Sequence, residues 1–122
     1  MGMLALRALA ELVVVDTVGL AGFKALHRLV RTTHTARASR PVDPVTVQTA
    51  LRRAAVLYFK QTHCLQRSVV LTRMLRRRGV NAQMVIGYQP VPPASHAWVE
   101  VDGEIINETV PNQDKLIVLD RW

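Results

Sequence analysis

The chain has one cysteine, Cys64, in 122 residues, and this single fact excludes several kinds of protein. No internal disulfide can form, which fits a reducing compartment, and a zinc site built from a cysteine cluster is ruled out. The four histidines, at 27, 34, 63 and 96, show no ligand spacing. Aromatic residues are scarce at 5%, too few for a surface that stacks on bases. Long apolar runs are also missing. Arg7, Glu11 and Asp16 interrupt the first apolar stretch, so neither a secretory signal nor a membrane span of about 20 apolar residues is expected. The chain therefore reads as cytoplasmic, with no stable membrane insertion expected. Acidic residues are sparse in one part only: residues 1 to 80 hold 14 Lys and Arg against 3 Asp and Glu, whereas residues 81 to 122 hold 2 against 6. An acidic partner for the first part, whether nucleic acid, membrane surface or peptide, is one reading of this imbalance. A solvated set of arginine-rich helix faces is the other.

What is present suffices for a folded domain. Hydrophobic residues make up 49% and charged residues 20% of the chain, a globular composition at the size of one domain. Residues 1–40 read as an N-terminal helical segment and connector, and 41–122 as the core of one compact domain. In the first segment, positions 9, 13, 16, 20, 23, 27 and 30 recur at helical steps and predict a buried stripe, with either one helix or a break near Asp16 and Thr17. Asp43-Pro44 predicts a helix start, an aspartate cap followed by proline in the first turn. That helix should run to about Tyr58 or Lys60 and bury Val47, Ala50, Leu51, Ala54, Leu57 and Tyr58. A second helix over 63–78 carries apolar residues at 65, 69, 71, 74 and 75, and ends at Gly79 after three arginines. Thr62 or His63 would cap its start and place Cys64 in its first turn.

Beyond Gly79 the period changes to two. Ala82, Met84 and Ile86 alternate as in a strand, the proline-rich stretch from Gln89 to Ala94 reads as a loop, and Asp102-Gly103 predicts a hairpin between 96–101 and 104–108. A turn over 111–115 and a short strand over 116–119 follow. Helices and then a small antiparallel sheet predict an α+β fold.

A cysteine opening a helix is chemically distinctive. The unpaired N–H groups and the positive end of the helix dipole favour a thiolate, and the same N–H groups could hold an oxyanion. The alternative is a small buried hydrophobe, the ordinary role of a free cysteine. A histidine on a later strand, His96, and an acid or amide on the next strand, Glu108 or Asn107, complete the parts that thiol chemistry requires. Histidine takes the thiol proton and returns it to the leaving amine, while the third residue holds the imidazole in its working tautomer. With a two-residue turn at Asp102-Gly103, Asn107 shares the face of His96; a one-residue shift turns Glu108 there instead. Gln61 could donate to the oxyanion or be a solvated loop residue. His63 fits a cap or surface position, Trp98 packing beside the histidine, and Arg67 an anchor for the helix or for an acidic substrate.

The segments Cys64-Leu-Gln-Arg-Ser68, Leu75-Arg-Arg-Arg-Gly79, Val85-Ile-Gly87, His96-Ala-Trp-Val-Glu-Val-Asp-Gly103 and Asn107-Glu108 resemble the transglutaminase-like B2 proteins of lasso-peptide biosynthesis, over about residues 44–110. The resemblance implies a transglutaminase/papain-like core and a cysteine peptidase that removes the leader from a ribosomally made precursor through a thioester. It implies Cys64 as nucleophile, His96 as base and Glu108 as third member, where the family usually has aspartate. It also implies a leader-recognition B1 partner and a separate macrolactam synthetase, with no cofactor and no nucleic acid. The readings from other classes are a non-catalytic leader-peptide binder and a nucleic-acid-binding module, the latter motivated by Arg76-Arg77-Arg78.

Overall fold

A computed structural model describes residues 2–37, 40–57, 64–90, 93–106 and 116–122. Four helices, α1 (Met3–Gly19), α2 (Phe23–Arg31), α3 (Pro44–Leu57) and α4 (Cys64–Arg77), precede four strands, β1 (Ala82–Gln89), β2 (Ala94–Val101), β3 (Glu104–Ile105) and β4 (Ile117–Arg121). The strands form one antiparallel sheet in the order β3-β2-β1-β4. This is the α+β arrangement that the change of period predicts.

Local chemistry sets most of the element boundaries. At α3 the Asp43 carboxylate accepts the Val45 N–H at 3.0 Å, the capping bond expected ahead of Pro44. At the end of α4, Gly79 takes φ +84°, Val80 N–H bonds Leu75 C=O at 3.0 Å and Gly79 N–H bonds Arg76 C=O at 3.2 Å. These paired bonds around a left-handed glycine turn the chain back along the helix into β1. Asp102 (φ 53°) and Gly103 (φ 81°) make the two-residue turn between β2 and β3, with Val101 opposite Glu104.

α4 is the central element. Every residue from Ser68 to Leu75 is buried, because α1, α2, α3, β1 and β2 all pack around it. Its Val69, Leu71, Met74 and Leu75 join Leu12 and Val15 of α1, Val47 and Leu51 of α3, and Met84 and Val99 of the sheet in one core.

Four expectations are corrected. The buried face of α1 is Ala5, Ala8, Glu11, Leu12 and Val15; the predicted stripe fails at Val13 and Leu20, and at Phe23 in α2, all of which are exposed. Small residues at 5 and 8 let α1 approach its neighbours closely, and this packing selects a face that the apolar period alone does not. The break falls at 20–22, where Gly22 takes φ +102°, and not at Asp16. Asp16 stays inside α1 and accepts a hydrogen bond from Gln66 Nε2 at 3.1 Å, while the Thr17 hydroxyl bonds the Val13 carbonyl. Leu57, expected inside, is exposed, the buried stripe of α3 having ended at Ala54. β1 and β2 also extend into the stretch read as a loop, through Gln89 and from Ala94. Tyr58, the cap at 62 or 63 and the turn over 111–115 lie outside the described residues.

The arginine run at the end of the core helix serves the fold. Arg76 donates to four backbone carbonyls: Val30 (2.8 Å), Thr33 (3.3 Å), Ala82 (2.9 Å) and Trp122 (2.8 Å). It thereby ties α2, the start of β1 and residue 122 to α4. Replacing it with alanine leaves these acceptors without their charged donor, and Arg76→Ala is expected to destabilise the domain by about 3 kcal/mol. Arg76→Lys should recover only part of this, since an ammonium cannot reach all four carbonyls. Urea unfolding midpoints of the two variants check both expectations.

Candidate active site

Cys64 is the first residue of α4, and its side chain is exposed. A cysteine acting as a core hydrophobe would be buried, so the structure removes that reading. First-turn N–H groups of an α-helix have no acceptor within the helix, which makes this position suited to negative charge. The Gln66–Asp16 hydrogen bond fastens this turn to α1. Arg67 is half-buried in the same turn.

His96 lies in β2, half-buried and opposite Gly87 of β1. Its level in the fold follows from the chain's dimensions. Ala82 sits against the last turn of α4, where its carbonyl accepts from Arg76. From there Cys64 is about 20 Å back along the helix at 1.5 Å per residue. Gly87 is about 17 Å along β1 at about 3.3 Å per residue. With β1 running back along α4, these two lengths are compatible with Cys64 and His96 lying toward the same end of the sheet. Strand alternation gives Ala97 and Val99 to the helix-facing core and puts His96 on the other side with Trp98 and Glu100. α4 packs across β2, but its body covers the side that His96 leaves.

On the His96 side the neighbours are ordered by a chain of polar contacts. Trp98 Nε1 donates to Glu100 at 2.8 Å, and the other oxygen of Glu100 accepts from Arg121 at 3.0 Å. The indole is buried and lies over Gly87; a Cβ there would stand 2.7 Å from Cζ3 and Cη2 of Trp98. Glycine is thus required at 87, the position that pairs with His96, by close approach of a ring to the backbone. Gly87→Ala is expected to displace the indole, change the near-ultraviolet circular dichroism and lower stability by about 1–3 kcal/mol.

Among the sequence-predicted site residues, Cys64 and His96 are described; Gln61, His63, Asn107 and Glu108 lie outside the described residues. The hairpin register bears on the last two. Glu100 pairs with Ile105, and Ile106 N–H bonds Val99 C=O at 3.1 Å, the spacing of an unshifted two-residue turn. No group of three or more His, Cys, Asp or Glu that could hold a metal occurs among the described residues. No helix among them is long and apolar enough to cross a membrane. The Trp98–Glu100–Arg121 chain was missed in the sequence, although Trp98 and Glu100 two apart on a strand would share a face; Arg121 comes from the opposite edge of the sheet.

A cysteine at the head of a central helix that packs on an antiparallel sheet fits a transglutaminase-like α+β architecture. The Transglutaminase-like superfamily matches residues 6–120, and the chain belongs to that superfamily. The match takes in α1 and α2, beyond the 44–110 stretch on which the sequence resemblance rested. The chain is also 42% identical over 59 residues to the microcin J25-processing protein McjB of Escherichia coli. That alignment covers 48% of this chain and 28% of McjB, so the chain spans less than a third of the relative it matches. No solved structure matches.

Proposed function

We propose that the chain is a cysteine peptidase that removes the leader from a lasso-peptide precursor. The observation that carries the reading is the exposed thiol at the head of α4, the helix that packs on β2, the strand carrying His96. Membership of the superfamily and the identity to a microcin-processing protein support it.

In this reading Cys64 Sγ attacks the carbonyl of the last leader residue as His96 takes the thiol proton. First-turn N–H groups of α4 stabilise the oxyanion. His96 then gives the proton to the amine of the core peptide, which leaves with its new N-terminus, and the leader stays on Cys64 as a thioester. Water attacks the thioester with His96 as base, releasing the leader carboxylate and restoring the thiol. The chemistry needs no cofactor. Because His96 points to the side of the sheet away from the body of α4, this reading requires thiol and imidazole to meet around the sheet end and not through the core.

Glu108 takes the third role by motif position, with Asn107 the alternative that the unshifted hairpin register favours if pairing continues past Ile106. Either can accept from the imidazole. A leader-recognition B1 module delivers the precursor, and the freed core passes to a macrolactam synthetase; the setting is the cytoplasm.

The test is to combine the chain, a B1 module and a precursor and follow the products by mass spectrometry. Leader and core fragments that together account for one added water support the reading. A precursor that is bound and never cut would leave the non-catalytic leader-binding reading in its place. Comparing Glu108→Ala with Asn107→Ala then identifies the third member, whose loss should lower kcat far more.

A further inference from the structure

A second surface lies at the opposite end of α4. Between the first turns of α1 and the last turn of α4 runs a groove of about 550 Å³, in which Arg7, Glu11, Arg77 and Arg78 surround apolar side chains that include Met3 and Leu4. Its charge is unbalanced. The two oxygens of Glu11 are occupied by Arg73 and Arg77. Arg78 donates to the Met74 carbonyl at 3.0 Å, and neither Arg7 nor Arg78 has a carboxylate partner among the described residues. Burial holds the Arg78 guanidinium below its ordinary value, repulsion from Arg7 and Arg77 adds to this, and attraction to Glu11 offsets part of it. A groove with an excess of guanidinium groups around apolar side chains suits a carboxylate beside a large aliphatic side chain. Guanidinium binds carboxylate through paired hydrogen bonds, and methionine adapts to varied apolar shapes. A nucleic acid would need a longer basic track and rings to stack upon, and no aromatic residue lines this groove among the described residues.

We propose that this groove is an exosite for an acidic, leucine-rich segment of a peptide, held at the far end of the helix whose first residue is Cys64. That the peptide belongs to the substrate rests on the peptidase reading; the groove's preference for acidic peptide does not. α4 separates the two positions by about 20 Å, so the held segment and the bond to be cut lie at least about six extended residues apart.

The test uses the full chain carrying Cys64→Ala, so that binding is read without cleavage. The probe is a fluorescein-labelled 12-residue peptide of alternating Glu and Leu, with a Lys and Leu peptide for comparison, at 0.15 M salt, where long-range attraction is largely screened. Fluorescence anisotropy should show binding of the acidic peptide alone. Arg7→Glu should weaken it at least tenfold and Arg7→Ala at least threefold. Arg31→Glu, an equal charge change at an exposed site on α2, should alter it less than twofold. No binding of the acidic peptide, or equal losses from Arg7→Glu and Arg31→Glu, would overturn the exosite. A groove that binds in a chain that never cuts would sink the peptidase reading and leave the exosite standing.

Discussion

Cys64→Ala is expected to abolish precursor cleavage, with a loss on the order of 10⁴-fold or more, because no other thiol exists in the chain to form the thioester. The variant should fold normally. The side chain is exposed, takes no part in the core and opens the helix at a position where alanine is accepted, so unfolding midpoints should move little. Cleavage and stability thus separate: a variant that melts with the wild type but leaves the precursor intact after long incubation is the expected result. Turnover retained at more than about one hundredth of the wild-type rate would mean that another group attacks the carbonyl.

The largest expected effect on stability belongs to Glu11. Its carboxylate lies between α1 and α4, bonded to Arg73 and Arg77, and the Arg73 side chain is only 7% exposed. Burial lowers the Arg73 guanidinium from its ordinary value and Glu11 acts in the opposite sense, so the carboxylate offsets part of the cost of enclosing a cation. Arg73 also reaches the Thr33 hydroxyl at 3.2 Å, which connects the pair to the end of α2. Glu11→Ala leaves the buried guanidinium uncompensated and should cost about 3–5 kcal/mol, a large part of the stability of a domain this size. Removing both charges with Glu11→Leu and Arg73→Met should cost much less than Glu11→Ala, since an apolar pair of similar volume needs no charge balance. Chemical denaturation of the two variants checks the order.

These two residues also mark what can be read from the sequence and what cannot. Cys64 at a helix start, the Asp43 cap, the Gly79 turn and the Asp102-Gly103 hairpin were legible because each depends on a few adjacent residues. The resemblance in motifs added the superfamily. Glu11 was not legible, since its partner Arg73 lies 62 residues away and nothing local distinguishes it from a surface acid. α1 was misread for a related reason: Leu6, Val13 and Val14 remain exposed while Ala5 and Ala8 are buried, so apolar residues surround the helix and its neighbours decide which face is covered. Arg76-Arg77-Arg78 suggested an anion-binding run. In the fold Arg76 holds carbonyls, while Arg77 and Arg78 both line the groove with Arg7, Arg77 bonded there to Glu11.

Alkylation of Cys64 by iodoacetamide at neutral pH, compared between the wild type and His96→Ala, tests most directly whether sulfur and imidazole work as a unit. If His96 accepts the thiol proton, the wild type reacts quickly and the variant at least tenfold more slowly, with both chains equally folded by circular dichroism. Equal rates would show that the imidazole does not act on the sulfur, and the peptidase account would fail with them.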